Sequence, residues 1–115
     1  MKKTHTELLI KVNRLAECRQ FYRDVLDLGT PVFDSNFAVS FRLCDHTFLT
    51  LELTAANYLE HDSNAMIWRF EVDELESFRK RLTAAGCELE LLPGSSGTWR
   101  GYDPEGNRFY VREAR

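Results

Sequence analysis

Polar and apolar positions alternate over residues 6 to 12, with Leu8, Ile10 and Val12 in one phase and Glu7, Leu9 and Lys11 in the other. A period of two predicts a strand with one face in a core. From Leu15 the period lengthens. Leu15, Cys18, Tyr22, Val25 and Leu26 recur at helical spacing, Asn13 is placed to cap the start, and Gly29 with Pro31 predicts a stop near Leu28. Three short strand patterns follow, near 31–34, 37–43 and 47–53, divided by Asp34-Ser35-Asn36 and by Asp45-His46.

The pattern then repeats. Trp68, Phe70, Val72, Leu75, Phe78, Leu82 and Ala85 stand sixty residues after Leu8, Ile10, Val12, Leu15, Cys18, Tyr22 and Val25. Asp73 and Glu76 predict an acidic capping box, and Gly86 a left-handed helix stop. Strands are expected near 88–92, 97–102 and 108–113, with a turn at Asp103-Pro104-Glu105-Gly106-Asn107. Residues 54–65, TAANYLEHDSNA, lose the alternation and read as a linker. The chain therefore predicts one domain, 1–115, of two βαβββ modules at 5–53 and 66–113.

Composition narrows the function classes. The 115 residues allow one core, and a net charge of −3 lacks the basic footprint of a general nucleic-acid binder. No apolar run approaches the roughly 20 residues of a spanning helix, and the hydrophobic run in MKKTHTELLI is too short for a signal peptide, so no membrane partner is expected. Cys18, Cys44 and Cys87 are odd in number and form no CxxC, which suits reduced thiols in a cytoplasmic protein.

Each helix has one apolar stripe and covers one face of its sheet. The expected fold is α+β, two modules whose curved antiparallel or mixed sheets surround a central trough. If the core faces are as assigned, the trough side carries Glu7, Leu9 and Lys11, then Phe48, Thr50 and Glu52, then Ile67, Arg69 and Glu71, then Arg108, Tyr110 and Arg112. Such a charged face is either a solvated surface laced with cross-strand ion pairs or an enclosed site. Phe37, Phe41, Phe48 and Trp99 either wall an aromatic cavity or belong to the core, and the hairpin register that decides is not readable for Phe37, Phe41 and Trp99.

The paired βαβββ pattern, Phe21-Tyr22-Arg23-Asp24-Val25-Leu26, Leu51-Glu52-Leu53 and Asp103-Pro104-Glu105-Gly106-Asn107 together resemble the vicinal oxygen chelate superfamily, which includes glyoxalase I, bleomycin-resistance proteins, fosfomycin-resistance enzymes and extradiol dioxygenases. The resemblance covers residues 6 to 113. It implies a scaffold and not one chemistry. In the family's enzymes a divalent metal is held from four places, the first and last strand of each unit, and the resemblance puts these on Glu7, Glu52, Ile67 and Tyr110. Glu7 and Glu52 are candidate metal ligands. Isoleucine has no donor atom and tyrosine is an uncommon ligand for these metals, so the expectation is no metal cofactor.

Glu7 and Glu52 in one enclosed space would repel each other unless a cation joined them, and Arg69 is the nearest candidate. Such a cluster is either a structural network in place of the metal or a means of recognising a ligand. Tyr110 adds a hydroxyl. His5 lies on the strand face of Glu7 and reaches the metal position after a register slip, whereas His46 and His61 fall in a turn and in the linker. The expected function is a small-molecule-binding protein of the glyoxalase/bleomycin-resistance type, working as a homodimer, with enzyme activity left open. Its polar or aromatic ligand would meet Glu7, Phe41, Phe48, Thr50, Glu52, Arg69, Trp99 and Tyr110. The alternative is a metal-dependent lyase, isomerase or dioxygenase with an altered ligand set.

Overall fold

The alternation at the start becomes strand β1 (Thr6–Val12), and the first helical pattern becomes α1 (Leu15–Gln20) continued by a π-helical turn at Phe21–Val25. Strands β2 (Phe33–Asp34), β3 (Ala38–Cys44) and β4 (Thr47–Leu53) complete the unit. The second unit runs β5 (Trp68–Val72), α2 (Leu75–Ala84), β6 (Glu90–Leu91), β7 (Trp99–Tyr102) and β8 (Arg108–Glu113). This computed structural model describes residues 5–54 and 67–115, so His61 and all of the expected linker except Thr54 lie outside the described residues. The chain divides into two compact units, 1–64 and 65–115.

Each unit is a four-stranded mixed sheet, ordered β1-β4-β3-β2 in the first and β5-β8-β7-β6 in the second. The first and last strands of each unit pair in parallel and the hairpins antiparallel. The sixty-residue repeat holds to the residue in three of the four strands of each unit. Leu9 pairs with Thr50 and Thr50 with Ser40, as Arg69 pairs with Tyr110 and Tyr110 with Arg100.

Register settles the faces. In the first unit Ile10, Val12, Val39, Phe41, Leu49 and Leu51 share the buried face with Leu15, Cys18, Tyr22 and Leu26. Full burial of an aliphatic or aromatic side chain contributes about 1.5–3 kcal/mol, so these residues hold the unit together. In the second unit Trp68, Phe109 and Val111 are buried with Phe78 and Leu82 of α2, and the Phe78 ring meets Phe70 edge-on at 5.8 Å.

The helix ends depart from expectation. Neither helix has a side-chain cap on its own N-terminus, so Asn13 does not cap α1 and the Asp73/Glu76 box does not form. Instead the Leu75 amide donates to Glu113 Oε1 of β8 at 3.0 Å. A carboxylate there also complements the helix dipole. The first helix ends about two residues early, where Leu26 N–H reaches Phe21 O at 2.9 Å and Asp27 takes φ 62°. Aspartate tolerates that conformation because its side chain is short and polar. Gly86 is as expected: at φ 86° it lets Cys87 N–H bond Leu82 O at 2.8 Å and its own N–H bond Thr83 O at 2.9 Å, a Schellman stop.

In the last hairpin the buried Asp103 organises the turn, its Oδ1 accepting from the amides of Glu105 and Asn107, both at 2.9 Å. Among the described residues no helix is long and apolar enough to cross a membrane.

Candidate functional site

In each sheet the face turned away from the helix carries the polar residues, and strand pairing sorts them into rows. Each row draws one residue from every strand it crosses. In the first unit the rows are Glu7–Phe48–Arg42, Leu9–Thr50–Ser40 and Lys11–Glu52–Ala38.

The middle row holds a hydroxyl relay. Thr50 is 6% exposed and its Oγ1 donates a hydrogen bond to Glu7 Oε2. Ser40 Oγ lies 2.8 Å from Thr50 Oγ1. Threonine has one hydroxyl proton, already given to Glu7, so Ser40 is the donor in that second bond. Below it, Lys11 pairs with Glu52 at 3.2 Å. The Phe48 ring is stacked on His5 at 4.8 Å, and the Arg42 guanidinium lies 5.8 Å from its centroid.

The structure thus gives Glu7 and Glu52 separate partners. They stand four register positions apart, roughly 13 Å along the strands. The repeat also offers a second position on β4. Thr50 holds in the first unit the place that Tyr110 holds in the second, and the counterpart of Glu52 is Arg112.

In the second unit the rows are Arg69–Tyr110–Arg100–Glu90, Glu71–Arg112 and Arg108–Tyr102. The Arg69 guanidinium lies 5.7 Å from the Tyr110 ring centroid. Arg112 gives Nε–H to Glu71 Oε2 at 2.9 Å. Arg100 bonds Glu90, and that hydrogen bond is the main reason its guanidinium pKa lies above the ordinary value. A groove of about 370 Å³ opens among Arg69, Glu71, Thr98, Tyr110 and Arg112. That is near the lower end for small-molecule sites.

Two expected pocket residues face the other way. Phe41 is completely buried, paired with Leu49 on the core face. Trp99 pairs with Val111 on the helix side, where the Arg79 guanidinium of α2 lies 4.2 Å from a Trp99 ring centroid. Both follow from hairpin register, which puts Ser40 and Arg100 on the polar face instead. Those two residues and Arg42 escaped the sequence reading. Carrying the sixty-residue offset into β3 and β7 is the signal that would have found Ser40 and Arg100 together.

A model of the Glyoxalase/Bleomycin resistance protein/Dioxygenase superfamily matches residues 4–111. The chain belongs to this superfamily. Solved structures show the same fold at low identity. The lactoylglutathione lyase of Agrobacterium tumefaciens is 24% identical, with 98% of this chain and 95% of that one covered and a TM-score of 0.70. The fosfomycin resistance protein of Mesorhizobium loti is 15% identical over 100% and 95%, with a TM-score of 0.72. An antibiotic-binding protein from a Streptomyces species is 14% identical over 100% and 99%, with a TM-score of 0.74. A comparison with curated protein sequences finds no match.

The superfamily's enzymes imply a divalent metal, and the donor set here does not fit one. The resemblance puts its places on Glu7, Glu52, Ile67 and Tyr110, and even with Thr50 as the alternative on β4 they offer at most two carboxylates beside a phenol and a hydrocarbon. Hard divalent cations and zinc favour carboxylates and imidazoles. Among the described residues no group of three or more His, Cys, Asp or Glu is placed to hold a metal.

Proposed function

We propose that this superfamily member binds a small molecule without a catalytic metal, in the manner of the bleomycin-resistance branch and not of the lyases or dioxygenases. The observation that carries this reading is the Ser40–Thr50–Glu7 relay. It ties the carboxylate at the first metal position into a polar network of its own sheet, and the places on Ile67 and Tyr110 offer neither carboxylate nor imidazole. The groove beside Tyr110 supplies room for a ligand. Superfamily membership makes small-molecule binding the general expectation, and the antibiotic-binding Streptomyces protein shares the fold.

The finer assignments belong to the same proposal. A homodimer is supported by exposed apolar side chains at the sheet edges, Phe33, Phe37 and Leu91. A cytoplasmic setting is supported by three cysteines with no disulfide among them.

The test is metal loading together with a ligand screen. Protein equilibrated with zinc, nickel, manganese or iron is expected to take up none stoichiometrically, while a true ligand at a hundredfold its dissociation constant raises stability by about 2.7 kcal/mol. Stoichiometric metal with dependent lyase, isomerase or dioxygenase activity overturns the reading.

A further inference from the structure

Resting on the reading of this protein as a small-molecule binder, we infer that the groove of the second unit selects organic anions, a carboxylate or phosphate monoester on a small ring. The polar face of that sheet carries four arginines, Arg69, Arg100, Arg108 and Arg112, against two glutamates, Glu71 and Glu90. Both glutamates are engaged, Glu71 by Arg112 and Glu90 by Arg100. Among the described residues neither Arg69 nor Arg108 has a carboxylate within ion-pair distance.

Arg69 is the one that lines the groove. Its contact there is with the Tyr110 ring, which orients the guanidinium while leaving its N–H donors available. A planar guanidinium so oriented matches the paired oxygens of a carboxylate or phosphate. Arg112 sits on the same strand two residues after Tyr110, on the same face. Its Nε–H donates to Glu71 Oε2 at 2.9 Å, and Nη2 lies 2.9 Å from the same oxygen. A guanidinium carries five N–H donors, so others remain for a second contact to the anion. Thr98 adds a hydroxyl to the lining and the Tyr110 ring an apolar wall. A cation would meet uncompensated arginine, and a neutral ligand would forgo the strongest donor present.

The sequence corresponding to the Arg69–Tyr110 pair in the first unit is Leu9–Thr50, so this selectivity belongs to one unit and is not a property of the repeat.

The experiment measures binding of phenyl phosphate and benzoate to the whole chain, beside the neutral benzamide and the cationic benzamidine, with Arg69 and Arg112 side-chain NMR signals as the readout of place. Expected is a preference for the anions of roughly tenfold to a hundredfold over benzamide, the range for one charge-assisted contact. Arg69→Gln removes that preference, whereas Lys80→Gln, an equal charge change on the exposed surface of α2, keeps it. Equal binding of benzamide and the anions overturns the selectivity while leaving a small-molecule binder. Binding of none of the four probes overturns this inference, and the wider ligand screen then decides the parent reading. An anion preference retained in Arg69→Gln, or anion shifts confined to residues outside the groove, also overturns it.

Discussion

The two units share one topology and, in three of their four strands, one register, and differ in how each polar face answers its own charge. The first closes on itself: Glu7 takes the Thr50 hydroxyl, Glu52 takes Lys11, and Phe48 is covered by His5 and Arg42. The second leaves arginine in excess beside a groove. Their cores differ in a parallel way. At one cross-strand pair the first unit has Phe41 beside Leu49, and the second has Gly101 beside Phe109. The large ring has changed strands. A duplicated scaffold thus keeps backbone pairing constant, lets packing trade volume between neighbours, and frees one polar face to meet a ligand.

That contrast can be broken at graded strengths. Phe41→Ala should cost about 3–5 kcal/mol in urea unfolding, because a fully buried ring leaves a cavity. If it instead lowers ligand affinity with stability intact, Phe41 belongs to the site and not the core. Gly101→Ala should cost about 1–3 kcal/mol, since a Cβ there would lie 2.4 Å from Phe109 Cζ and 2.7 Å from Leu89 Cδ2. A neutral result would mean that the ring does not fill the glycine's space. Glu113→Ala removes the acceptor for the Leu75 amide and should cost about 1 kcal/mol, with faster hydrogen exchange at the start of α2. Exchange at the start of α1, in the other unit, should not change. The smallest effect is expected from Glu52→Gln, under about 1 kcal/mol, because its pair with Lys11 is well exposed. A larger loss would show that Glu52 does more than neutralise a lysine.

What was legible beforehand follows from range. Strands β4 and β8 match their expected limits because alternation is a local signal with a period set by the backbone. The Gly86 stop is local too. The cap of α2 was invisible, since its acceptor comes from a strand far along the chain, and Asp73 with Glu76 offered a nearer, unused alternative. Phe41 and Trp99 were misplaced for a related reason: a hairpin's register depends on turn geometry, and one residue of slip exchanges the faces. For the site, Glu7, Phe48, Thr50, Arg69 and Tyr110 do lie on polar faces as read. Glu52 was given the β4 metal place from Leu51-Glu52-Leu53 alone. The sixty-residue offset, already plain in β1 and α1, makes Thr50 the counterpart of Tyr110 once extended to β4, a second place beside Glu52.

The contact between Glu113 and Leu75 also has a bearing on synthesis. Leu75 leaves the ribosome's catalytic centre 38 residues before its acceptor is made. At about 5–20 residues per second that is a wait of roughly 2–8 seconds. During it the first turn of α2 has neither its cap nor strand β8 to lie against. The last strand of the first unit, β4, is made before that wait begins, so the order of synthesis favours the half whose carboxylates are already partnered over the half that carries the groove.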